Sequence, residues 1–156
     1  MLARFCPEPY HPFDPENIGK YVVDETHKII NTFTPFKETL NLNITFKSSL
    51  DTYFKSEGFD TVKMWKQIDD SIVTLFFDNE ENFITEAKNF GDPEHFFELV
   101  RFDFIFDQNL GVHLMEINMS PNLTPSRDKY ELYESSYKKV VHDALQCVIG
   151  IEKEIR

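Results

Sequence analysis

Apolar positions along this chain follow two different periods. Val62, Trp65, Ile68, Ile72, Leu75 and Phe76 recur every three or four residues, with Lys63, Lys66 and Asp70 off that face. This spacing predicts an amphipathic helix from an Asp60 cap to about Phe77. A shorter helix is expected before it, with Ser48 or Ser49 as N-cap and Gly58 as its stop. Another helical piece is expected after it, through Ala87, until Gly91-Asp92-Pro93 breaks the pattern. A final helix starts at Asp128, with Tyr133, Tyr137, Val140, Val141, Ala144 and Val148 on one stripe, and closes near Gly150. Between these helical segments the period drops to two. Residues 96–106 are aromatic and β-branched and read as a strand, Asp107 to Gly111 has turn chemistry, and residues 112–118 read as a second strand. The expected fold class is α+β, an antiparallel hairpin packed on helices.

The first fifty residues are loop-rich. Four prolines within residues 6–15 exclude a helix or a central strand there, and Tyr21-Val22-Val23 is a short β-prone run. Met1 to Cys6 reads as an extended apolar segment with nothing before it to pair with. Residues 1–156 are therefore expected to form one partial domain.

The hairpin carries the candidate chemistry. With Asp107 facing Val112 across a four-residue loop, Asp103 falls opposite Glu116. One face then holds Asp103, Ile105, Val112, Leu114, Glu116 and Asn118, and the other Phe102, Phe104, Phe106, His113, Met115 and Ile117. On that register His113 is a packed histidine. Two opposed carboxylates repel, and a divalent cation relieves the conflict. Asn118 adds a neutral oxygen, and hard oxygen donors of this kind suit Mg²⁺. Solvated acids at a hairpin end are the plainer reading of the same residues.

Composition narrows the partners. Sixteen Lys and Arg stand against 27 Asp and Glu, a net charge of −11. That balance argues against nucleic acid and against an anionic membrane surface. The apolar runs are too short for a membrane-spanning helix. Cys6 and Cys147 cannot build a disulfide framework, which points to a reducing, cytoplasmic setting.

Phe102-Asp-Phe-Ile-Phe-Asp107, followed by Leu114-Met-Glu-Ile-Asn-Met-Ser-Pro-Asn-Leu123, resembles the C-terminal signature of the tubulin–tyrosine ligase-like family of ATP-grasp ligases. An aspartate is followed thirteen residues later by Glu-x-Asn and then by Ser-Pro-x-Leu. The resemblance implies the C-terminal portion of an ATP-grasp fold, with the N-terminal ATP-clamping part absent. It also implies Asp103, Glu116 and Asn118 as ligands of Mg²⁺ and ATP. Leu2-Ala-Arg-Phe-Cys6 and Glu8-Pro-Tyr10 resemble the family segment whose arginine reaches the transferred phosphate, which makes Arg4 a catalytic candidate. The family's Leu-Thr-Asn has only Tyr21-Val-Val-Asp24 as its counterpart, and the chain's five glycines build no phosphate loop. By resemblance the reaction is addition of glutamate, glycine or tyrosine to a protein acceptor, tubulin, at a cytoplasmic, microtubule- or cilium-associated site. The alternative is a non-catalytic binding or scaffold protein on the same fold. The net charge favours this alternative, because an acidic surface repels an acidic acceptor.

Overall fold

A computed structural model describes residues 3, 14–17, 36, 45–89, 97–123 and 131–149, the side chains of 131–135 and 149 excepted. The chain divides into two compact units, Met1–Phe59 and Asp60–Arg156. Arg4, Cys6, the 21–24 run and Asp128 lie outside the described residues.

In the first unit, helix α1 spans Phe46–Ser56. Its N-cap is Thr45, not Ser48 or Ser49. The Thr45 hydroxyl accepts the Ser48 backbone N–H at 3.1 Å, so both serines fall inside the first turn. The stop at Gly58 is as expected. Gly58 has φ +84°, and its N–H bonds the Lys55 carbonyl while that of Phe59 bonds the Phe54 carbonyl. This paired closure consumes two orphan carbonyls, and Phe59 then packs edge-on against Phe54. Phe36, Phe46, Leu50, Tyr53 and Phe54 are buried together in this unit. Burial raises the Tyr53 pKa, and the nearby Glu57 charge adds to the effect.

The second unit holds α2 (Thr61–Asp78), α3 (Glu80–Asn89), β1 (Val100–Phe106), β2 (Val112–Met119) and α4 (Glu131–Ile149). Asp60 caps α2 as the pattern predicts, accepting the Lys63 N–H at 3.1 Å. The inward stripe is rotated from the expected one. Met64 is fully buried whereas Val62 is 74% exposed, because Thr61 and Met64 set the buried line and Val62 lies off it. Trp65, Ile68, Ile72 and Leu75 stay half-buried. The first strand starts at Val100, not at residue 96, and Phe97 to Leu99 precede it as irregular chain.

β1 and β2 pair antiparallel, and among the described residues they make one two-stranded sheet. From Val100↔Met119 to Asp103↔Glu116 the ladder is as counted from the sequence. Past Asp103 it shifts by one, to Phe104↔Leu114, Ile105↔His113 and Phe106↔Val112. Met115 is the extra residue on β2, a β-bulge. The loop is therefore five residues, 107–111, rather than four. Three face assignments change with it. Val112 and Leu114 share the aromatic face with Phe102, Phe104 and Phe106, and His113 shares the acid face. Exposure agrees, since Val112 and Leu114 are half-buried and His113 is exposed. The aromatic face meets the helices through Phe102 and Phe76, with ring centroids 6.3 Å apart, and Phe76 in turn packs on Phe83.

Candidate functional site

The turn end of the hairpin is built from backbone bonds made to side chains. The Asp107 carboxylate accepts the N–H groups of Asn109 and Gly111, both at 2.8 Å. Asp107 and Leu110 close the turn through a backbone bond at 3.0 Å. A Cβ at Gly111 would run into the Asp107 carboxylate, so a larger residue there would push that side chain off the two N–H groups it accepts. Those two backbone donors, with a smaller contribution from His113, hold the Asp107 carboxyl below its usual range. Leu110 is buried with φ +57°, a left-handed conformation that costs a non-glycine residue about 1–2 kcal/mol. Its buried side chain offsets that strain. Gln67 of α2 reaches across to this end. Its amide nitrogen donates to the Leu110 carbonyl at 3.2 Å, and its amide oxygen accepts the Val112 N–H at 3.4 Å.

The open end carries the acids. Asp103 and Glu116 are direct cross-strand partners, as the sequence predicts, and Asn118 lies two residues further on the same face. The Asn118 amide donates to Asp103 Oδ2 at 3.3 Å. Sequence reasoning missed Arg101. This residue pairs with Asn118 across the ladder and sits two residues before Asp103, hence on its face. Arg101 Nε and Nη2 each bond one Asp103 oxygen at 2.9 Å, a bidentate fork. That fork raises the Arg101 pKa against a smaller opposing effect of burial, and the charge of Glu116 and the phenol of Tyr137 on α4 add to the rise. Both side chains are partly open, Arg101 at 48% and Asp103 at 39% exposure. The repulsion expected between the two acids is thus met by a cation the protein itself provides.

Past Met119 the chain enters the Ser120-Pro-Asn-Leu123 stretch through a second left-handed residue, Ser120, with φ +49°. Glu98, just ahead of β1, accepts both the Ser120 N–H at 2.9 Å and its hydroxyl at 3.2 Å. The Leu99 carbonyl accepts the same N–H at 3.2 Å. The loop that follows the acids is therefore tied to the strand that carries Asp103.

The donor set fits a small divalent cation: two carboxylates on one face, half-open to solvent, with a neutral amide oxygen beside them. Among the described residues no group of three or more His, Cys, Asp or Glu is placed to hold a metal. A cation at this hairpin would therefore complete its shell with water or phosphate oxygens. Among the described residues, too, no helix is long and apolar enough to cross a membrane.

A family model for the tubulin-tyrosine ligase family matches residues 1–156. The chain belongs to that family. It is similar to a probable tubulin polyglutamylase, ttll-15, of Caenorhabditis elegans, at 42% identity over 86% of this chain and 27% of that protein. It is also similar to the tubulin polyglutamylase TTLL6 of Mus musculus, at 25% identity over 94% of this chain and 18% of that protein. The tubulin polyglutamylase ttll-4 of Caenorhabditis briggsae is 30% identical over 78% of this chain and 21% of that protein. The chain thus spans about a quarter or less of the length of these relatives. No solved structure matches it with statistical significance.

Proposed function

We propose that this chain supplies the metal- and nucleotide-binding part of an ATP-grasp ligase that joins an amino acid to a protein acceptor, tubulin, in the cytoplasm on microtubules or cilia. The observation that supports this most is the direct pairing of Asp103 with Glu116 beside Asn118, inside the stretch that resembles the family signature. In this reading residues 1–156 form one partial domain, and the longer protein provides the adenine clamp. The net reaction moves the terminal phosphoryl of ATP to a substrate carboxylate and releases ADP. An amine then attacks the acyl carbon, an amide forms and phosphate leaves. Mg²⁺ supplies neutralisation of the charge that builds on the phosphate oxygens. Asp103 and Glu116 would hold that cation with help from the Asn118 amide oxygen, and Arg4 is assigned to the phosphate in transfer.

In the full-length protein, Glu116→Gln removes a ligand charge and keeps the volume. ATP-dependent incorporation of labelled amino acid into tubulin is expected to fall roughly a hundredfold or more, with the far-ultraviolet circular dichroism unchanged. Retained incorporation by that variant would overturn the assignment. A second reading rests on Arg101: a site that already carries its own cation also suits a non-catalytic member that binds a protein partner without metal.

A further inference from the structure

Arg101 and a divalent cation would compete for the same atoms. Its two N–H groups occupy one Asp103 oxygen each at 2.9 Å, and the Asn118 amide takes a further position on Oδ2 at 3.3 Å. The fork joins two residues of the same strand, whereas β1 and β2 are held together by the backbone ladder. The field of Glu116 also reaches Arg101, so one guanidinium answers both acids. A metal ion held by Asp103 and Glu116 would lie a few ångströms from that fixed positive charge, and like charges at such range repel even at the surface of a protein.

We propose that Arg101 is an internal counter-cation that competes with the divalent ion for Asp103 and so sets how readily the acid pair loads. The inference rests on the metal reading of the preceding subsection. Arg101 is a positioning residue here: it acts through Asp103, neutralising the acid pair while no metal is bound and giving way when one arrives. The planar fork matters as well as the charge, because two parallel bonds to a carboxylate need guanidinium geometry that lysine lacks.

The test is Mn²⁺ binding to the full-length protein, followed by electron paramagnetic resonance of the free ion, in the native protein and in Arg101→Gln, Arg101→Lys and Glu116→Gln. Arg101→Gln is expected to bind Mn²⁺ about fivefold more tightly, the limit for a partly exposed ion pair. Arg101→Lys should fall between it and the native chain. The gap should narrow as salt is raised, since salt screens the ion pair, and a purely structural role would show no such trend. Circular dichroism checks that each variant is folded, and the lysine variant keeps the charge should the glutamine one fail to fold. Equal or weaker binding by Arg101→Gln, with Glu116→Gln losing the ion, would overturn this inference and leave the metal site standing. Binding by none of the four proteins, or binding indifferent to Glu116→Gln, would overturn both.

Discussion

The two ends of one hairpin are held in opposite ways. At the turn end, bonds run inward: Gln67 clamps the Leu110 carbonyl and the Val112 N–H, Asp107 ties its own loop, and Leu110 is buried in a strained conformation. At the open end the contacts are made by charged side chains half in water: Arg101 on Asp103, and Glu98 on the Ser120 N–H and hydroxyl. The part-buried Gln67 bonds resist loss because a stranded donor or acceptor is costly, whereas exposed ion pairs are worth little and exchange readily. Stability is therefore concentrated where no chemistry is proposed, and replaceable contacts where ligands would enter.

That contrast can be broken most forcefully at Leu110. Leu110→Ala removes buried side-chain volume but keeps the left-handed backbone, so urea unfolding should show a loss of about 2–4 kcal/mol. Leu110→Gly relieves the strain and should cost less than alanine by about 1 kcal/mol, the reverse of the usual alanine preference. Gln67→Ala is next in size. It leaves the Leu110 carbonyl and the Val112 N–H without this partner and should cost about 1–2 kcal/mol. Amide exchange should rise at Val112 more than at Asn118, and equal acceleration at both ends would show that the hairpin is held as one piece.

The smallest expected effect is with pH. Because the folded Asp107 carboxyl is held below its usual range by Gly111 and Asn109, its contribution is present above the unfolded value and disappears as pH falls through the folded one. The Gly111 and Asn109 amide shifts should titrate together, with a midpoint below the ordinary aspartate value. In Asp107→Asn, which keeps an acceptor oxygen, those shifts should lose the titration.

Much of the fold follows from local chemistry that a sequence displays. Asp60 ahead of an apolar stripe marks the α2 start, and Gly58 marks the α1 end, because capping depends on a few adjacent residues. The direction of the α2 stripe is harder to read, since Val62, Met64, Val73 and Phe77 put apolar groups nearly all round the helix and packing alone selects among them. The Asp103–Glu116 pairing is legible for a subtler reason: a four-residue loop with a regular ladder, and a five-residue loop with one bulge, bring the same two residues together. The error is confined to the turn half, where His113, Val112 and Leu114 change faces. Gln67 carries no signal, being a polar residue that a helical pattern assigns to solvent. Arg101 carries a faint one, its two-residue offset from Asp103.

Met115 gives this hairpin an odd number of residues to spare. The strand dimers at its base count in step, and so do those at its tip, but the two series are out of phase by one, with the mismatch absorbed by a side chain that is 66% exposed. Parity at the tip is thereby uncoupled from parity at the base. Removing Met115 would bring the two series into phase and still leave Asp103 across from Glu116. A one-residue step in β2 between Glu116 and the turn thus re-aims Val112, His113 and Leu114 and leaves the acid pair where it is.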